Sequence, residues 1–243
     1  MNTNLVNTTP NDNTLVKVQN LFKSYRRGHY AVEDVSFTIP RGHIVGILGP
    51  NGCGKTSTLK MLIGLLKPTR GEILIDGKHP GAETNAWISF MPDRNFLDKS
   101  MSVRQALVLF QDMFQDFEPD KAKAMLQDMN IDEKSRLKDL SKGNLEKVQL
   151  ALIMGRNAKL YVLDEPIGGV DPAAREFILK TILRNYREDA AILISTHLIS
   201  EVEYVLDDVL LMRDGHILLQ EPAEELREKH GSSINDYFKD LFA

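Results

Sequence analysis

Eight consecutive residues, Gly49-Pro50-Asn51-Gly52-Cys53-Gly54-Lys55-Thr56, follow the pattern G-x-x-x-x-G-K-[ST]. Glycines at this spacing let the backbone wrap close to phosphates with its N–H groups pointing inward. Gly49, Asn51, Gly52, Cys53 and Gly54 are therefore candidates to line a phosphate loop. Lys55 is placed to reach the β- and γ-phosphates of a nucleotide, and the Thr56 hydroxyl to bind Mg²⁺. Ser57 adds a neighbouring hydroxyl. The pattern arises by chance in about one per cent of chains of this length. Here it follows an apolar run and opens a helical pattern, the context in which it binds phosphate.

A second constellation is Leu160-Tyr161-Val162-Leu163-Asp164-Glu165, an apolar run ending in two carboxylates. In open α/β sheets ligands bind beyond the carboxyl ends of strands. Asp164 is thus placed to hold Mg²⁺ through water. Glu165, one residue on, can polarise an attacking water as a general base. The alternative for this pair is two solvated turn residues.

The elements that must carry these groups alternate between strands and helices. Leu15–Val18, Val32–Ile39 and His43–Leu48 read as strands, and a helix from about Gly54 to Leu66 puts Leu59, Leu62, Ile63 and Leu66 on one face. Glu72–Ile75 reads as a strand, followed by a turn at Asp76-Gly77. Leu160–Leu163 and Ala191–Ser195 are apolar strands around a helix from about Pro172 to Tyr186. Strand–helix–strand order implies a mostly parallel sheet with helices on both faces. Val209–Met212 and His216–Leu219 flank Arg213-Asp214-Gly215 as a hairpin, and a helical tail follows. Between about Asn95 and Ala158 no strand pattern stands out. Leu107, Phe110 and Phe114 recur at helical spacing there, either as a core stripe or as a surface that grips a partner protein.

The formal net charge is -4 over 243 residues, and no Lys/Arg block stands out. That balance argues against a nucleic-acid partner, which needs a basic face. No apolar run approaches the roughly 20 residues needed to cross a bilayer. Residues 1–13 are polar, rich in Asn and Thr, and read as a flexible tail without signal-peptide features. Cys53 is the sole cysteine, which fits a reducing cytosol. Its place near a helix N-terminus predicts a lowered thiol pKa and a reactive group. The alternative is a buried, inert thiol.

Three further pieces give the chain a resemblance to the ATP-binding subunits of ABC transporters. Leu140-Ser141-Lys142-Gly143-Asn144 resembles the LSGGQ signature. Gly168-Gly169-Val170-Asp171 resembles the D-loop, and Ser195-Thr196-His197 the switch-histidine motif. The resemblance spans about residues 15–220. It implies an α/β P-loop NTPase with a mostly parallel sheet core, an antiparallel β subdomain and an inserted α-helical subdomain at about 95–158, all in one domain over 14–243. It implies ATP and Mg²⁺ as cofactors. It also implies a head-to-tail dimer, with itself or a related subunit, in which the phosphate loop of one subunit and Ser141 and Gly143 of the other hold each ATP. His197 is then the group that bonds the γ-phosphate and attacking water. Asp171 lies in the D-loop at the same interface, and Tyr25 is the aromatic that stacks on adenine, with Tyr30 as the rival.

The chain departs from the family pattern in two places. Asp93 stands where the Q-loop carries Gln, and as a carboxylate it can ligate Mg²⁺ or its water. Lys142 and Asn144 replace Gly and Gln of the signature. The stretch Met91-Pro92-Asp93-Arg94-Asn95 resembles a bacterial exporter subgroup with ABC-2-like permeases, linked to peptide antibiotics and toxins. The resemblance implies a cytoplasmic ATPase on the inner face of the cell membrane that drives a separate transmembrane permease, exporting a peptide or other amphipathic substrate. The alternative is a soluble helper ATPase in cofactor assembly or on nucleic acid or ribosomes.

Overall fold

The computed structural model describes residues 13–26 and 28–242. The expected tail, apart from Asn13, lies outside the described residues. Strands β1 (Thr14–Arg26), β2 (His29–Pro40) and β4 (Arg70–Ile75) form an antiparallel sheet in the order β2-β1-β4. A second sheet has the order β5-β6-β7-β3-β8-β9, built from β3 (Ile44–Leu48), β5 (Ile88–Met91), β6 (Leu160–Asp164), β7 (Ala191–Thr196), β8 (Asp208–Arg213) and β9 (His216–Pro222). Its first five strands are parallel and β9 closes it antiparallel to β8. This is the expected fold class.

The parallel strands are apolar throughout because both faces are covered. Ile44, Tyr161, Leu163, Ile192 and Ile194 face one core. Val45, Ile47, Leu160, Val162 and Leu193 face the other. The second core is shared with the antiparallel sheet and with helix α1 (Lys55–Leu62), whose Leu59, Met61 and Leu62 are buried. The amide side chain of Gln220 on β9 bonds both the N–H (3.3 Å) and the carbonyl (2.8 Å) of Thr38 on β2, which joins the two sheets at their edge. Helix α1 stops four residues short of the expected Leu66, since Gly64 takes φ 76° and breaks the helical backbone. β1 runs eight residues beyond the expected Val18, through register shifts that absorb its polar stretch.

The first core extends into the helices at residues 103–154. α3 (Val103–Met113) is started by a reciprocal cap between Ser102 and Gln105. α4 (Pro119–Asp128) opens on proline, and α5 (Lys142–Met154) is capped by Ser141. α5 is buried nearly all round from Val148 to Met154, as suits a rod wedged between this lobe and the sheet. Leu107 and Phe110 of the apolar stripe are buried, and Phe110 packs on Phe114 and Phe117 with ring centroids 5.3 and 5.7 Å away. The stripe is core, but beside it Leu65, Phe96 and Met113 stay exposed and line an apolar groove of roughly 800 Å³. α2 (Ala82–Asn85), α6 (Pro172–Asn185), α7 (Ile199–Val202), α8 (Ala223–His230) and α9 (Ile234–Phe242) complete the chain. Among the described residues no helix is long and apolar enough to cross a membrane.

Asp76, in the expected turn with φ 51°, fastens the two sheets from below. It accepts from Lys159 at the start of β6 (2.7 Å) and pairs with Arg41 ahead of β3. The Lys159 hydrogen bond, then that of Arg41, holds its carboxyl below the usual carboxylate range. A carboxyl depressed in the folded state stabilises fully above its unfolded pKa, about 3.9, and loses that contribution as pH falls through the folded value. Asp76→Asn tolerates the same backbone and removes the charge. It should lower the unfolding free energy at pH 7 by about 1–2 kcal/mol, discounted for partial exposure. Urea titrations should show the gap from wild type closing below about pH 4.

Candidate active site

The phosphate loop turns from β3 into α1, and Gly54 makes that turn at φ 111°. A Cβ there would stand 2.4 Å from the Ala31 carbonyl, so only glycine fits. The positive end of α1 and its first-turn amides face the loop's concave side. Asn51, Gly52, Gly54, Lys55, Thr56 and Ser57 line a cleft of roughly 220 Å³ together with Ala31, Asp93 and Glu165. That is below the about 300 Å³ at which whole-ligand pockets begin. A cleft of that size suits the anionic end of a larger ligand whose remainder would extend to its outer side.

Tyr25 stands at that outer side. It is 59% exposed, and its hydroxyl shares a 3.0 Å hydrogen bond with Ser57 Oγ, so its ring is held beside the loop. Tyr30 instead packs edge-on against Phe22 at 5.6 Å. The structure thus ties Tyr25, and not its rival, to the phosphate loop.

Below the loop, Lys55 is buried and its ammonium donates to the carbonyls of Gly49 (2.7 Å) and Pro50 (3.1 Å). It also lies 3.7 Å from Glu165 Oε1. Asp164 ends β6 almost fully buried. Its Oδ1 accepts from Thr56 (3.1 Å) and from Ser195 (2.5 Å), while Oδ2 is buried with no partner among the described residues. Burial raises the carboxyl above its usual range. The hydrogen bonds of Ser195 and Thr56 oppose the rise, and the charges of Asp93 and Glu165 add to it. An orphaned carboxylate oxygen beside a threonine hydroxyl suits a hard cation. No cluster of three or more His, Cys, Asp or Glu side chains among the described residues could hold a metal alone. Mg²⁺ is characteristically bound by one or two protein oxygens together with substrate phosphates.

Glu165 takes φ 51°, uncommon for a residue with a side chain, and this breaks the strand alternation. Its carboxylate turns toward the cleft while Asp164 stays below. Oε2 accepts from Thr196 Oγ1 (3.1 Å) and lies 3.0 Å from His197 Nδ1. A carboxylate only accepts, so in this contact Nδ1 is the donor. Ser195 and Thr196 are site residues that motif reading left without a role. The signal available was their position at the end of β7, the strand that pairs with β6.

Ser141, Gly143 and Asp171 do not line this cleft. Ser141 Oγ accepts from Asn144 N (3.2 Å) as the cap of α5, Gly143 has open space where a Cβ would point, and Asp171 caps α6 through Ala174 N (3.0 Å). One subunit alone does not bring them to its own phosphate loop.

The expected reactive thiol is overturned. Cys53 is buried at 4% exposure under the loop. Burial pushes its thiol up, against the smaller lowering effects of the Lys55 charge and backbone amides. Desolvation of the thiolate outweighs the helix end. Iodoacetamide at neutral pH should modify Cys53 at least about tenfold more slowly in the native chain than in urea. Mass spectrometry over time measures this.

Comparison with known proteins gives concordant matches. The ABC transporter family model matches residues 32–168. The SkfA peptide export ATP-binding protein SkfE of Bacillus subtilis (strain 168) is 34% identical over 213 residues, covering 84% of this chain and 87% of that protein. The lipopolysaccharide export system ATP-binding protein LptB of Escherichia coli (strain K12) is 31% identical over 225 residues, covering 87% and 92%. A solved ATP-binding subunit of an ABC transporter superposes with a TM-score of 0.85 at 27% identity, over 95% of this chain and all of that one.

Proposed function

The chain belongs to the ABC transporter family as one of its ATP-binding subunits, and from that premise we propose that it hydrolyses ATP to drive a separate membrane permease. The observation that carries this reading is that Lys55, Thr56 and Glu165 line one cleft, with Asp164 buried beneath it and hydrogen-bonded to Thr56. Lys55 and the loop amides bind the β- and γ-phosphates, and Tyr25 stacks on adenine. Thr56 and Asp164 would hold Mg²⁺, with Asp93 at the cleft wall. The cation would supply neutralisation of the phosphate charge.

Glu165 orients the attacking water and accepts its proton as the new O–P bond forms and the β–γ bridge opens. Thr196 and His197 hold Glu165 for that work. A neutral His197 accepts from the water through Nε2, and bonding the γ-phosphate requires a second proton on the ring or a turn of it. Ser141, Gly143 and Asp171 act on the ATP of a second subunit, either a copy of this chain or a related one. ATP binding closes the pair, and hydrolysis with release reopens it.

The permease docks in the apolar groove at Leu65, Phe96 and Met113, an exposed patch whose edge is formed by Asp93 and Arg94. The chain sits peripherally on the inner face of the cell membrane. The kinship with SkfE and the Met91–Asn95 stretch support export of a peptide or other amphipathic substrate.

Two measurements test this reading. Glu165→Gln should bind ATP, lower phosphate release by about 10²–10⁴-fold, and accumulate an ATP-bound dimer on size exclusion. Unchanged turnover removes Glu165 as the base. Met113→Asp should keep the native circular dichroism spectrum and lose co-purification with the adjacent-gene membrane subunits. Retained co-purification places the permease elsewhere.

A further inference from the structure

Lys142 stands where the family signature has glycine, and the reading above gives it no task. Its side chain leaves the start of α5 and crosses to the loop after Glu165. A Cβ built on Gly169 would fall 2.1 Å from Lys142 Nζ and 3.2 Å from its Cε, so the end of the lysine occupies the space over that glycine. Gly169 itself holds φ 82°, a backbone that side chains rarely adopt. One turn along α5, Glu146 Oε1 lies 3.7 Å from the same ammonium. Glu146 is mostly buried, and its Oε2 has no partner among the described residues. Burial pushes its carboxyl up and the Lys142 charge pulls it back.

The loop in turn rests on Glu165. Gly168 N donates to the Glu165 carbonyl (2.9 Å), and a Cβ on Gly168 would lie 3.3 Å from the Glu165 Cβ. A shift of residues 168–169 therefore reaches Glu165 through one contact.

We propose that Lys142, backed by Glu146, is a positioning residue for hydrolysis that ties the start of α5 to the 168–171 loop and so fixes Glu165. An ion pair whose lysine is largely exposed contributes little stability by itself. Its effect lies in geometry, because small displacements of a catalytic group cost rate steeply. The proposal rests on Glu165 acting as the base.

The test uses the full chain with ATP and magnesium. Lys142→Ala, Glu146→Gln and the double variant are compared with wild type for kcat, the KM for ATP, thermal melting and hydrogen exchange at residues 168–171. The expected result is a loss of about tenfold in kcat for each single variant, with KM within about twofold. The double variant should be no worse than either single one, since both break one link. Exchange at 168–171 should quicken while melting stays put. Lys142 is exposed, so its alanine variant folds even if the buried Glu146 change does not. Unchanged kcat in Lys142→Ala overturns the proposal. So does a raised KM at constant kcat, which makes the lysine a phosphate-binding group, and so do additive losses in the double variant. Glu165→Gln is run in parallel. If it turns over normally the base reading fails, while unaltered exchange at 168–171 in Lys142→Ala fails the tie alone.

Discussion

A carboxylate taken out of water governs this molecule. Asp164 is 1% exposed, with one oxygen shared by two hydroxyls and the other bare. Burial alone opposes its charge, so the group stays in place only because the surrounding backbone over-determines it. Three chain segments do this. β6 ends on it, β7 brings Ser195 alongside, and the turn from β3 into α1 brings Thr56 above. Each belongs to a parallel sheet whose strands are fixed by two cores, one on each face. The proposed metal answers the same electrostatic problem from the open side, because a cation offsets the buried charge of Asp164.

The second constraint is mechanical. α5 is a buried rod with Ser141 at one end and Arg156 just past the other. Arg156 grips Asp116 through two hydrogen bonds (2.9 and 3.1 Å), donates to the carbonyls of Ala86 and Ile88, and lays its guanidinium on the Phe114 ring at 4.0 Å. A bidentate, stacked arginine of this kind is rigid in a way lysine is not. It joins the helical lobe to the start of β5, and β5 leads within two residues to Asp93. The apolar groove, the Asp93 side of the cleft and the Ser141 cap therefore belong to one connected frame.

Local chemistry made much of this legible. The phosphate loop is a single contiguous stretch whose backbone needs are written in its glycines. The parallel strands show as unbroken apolar runs because both their faces are covered. Asp164 and Glu165 are marked by the strand they end, and the matches to ABC subunits agree with the family resemblance. The amphipathic stripe through Leu107 and Phe110 reads correctly as core.

What stayed hidden depends on partners far along the chain. Cys53 looked reactive from its helix end, but its environment is set by packing under a loop that closes against β8. Nothing near Tyr25 or Tyr30 distinguishes them until Ser57 and Phe22 are brought up by folding. Ser195 and Thr196 acquire meaning only when β7 pairs with β6, and Lys142 only when α5 lies against Gly169. The sequence by itself determined which groups could meet a triphosphate, because that chemistry is carried by residue type and short-range spacing. Only the tertiary structure decided which carboxylate is desolvated, which one His197 faces and which side chains share a contact, because burial and charge interactions are properties of segments that folding alone brings together.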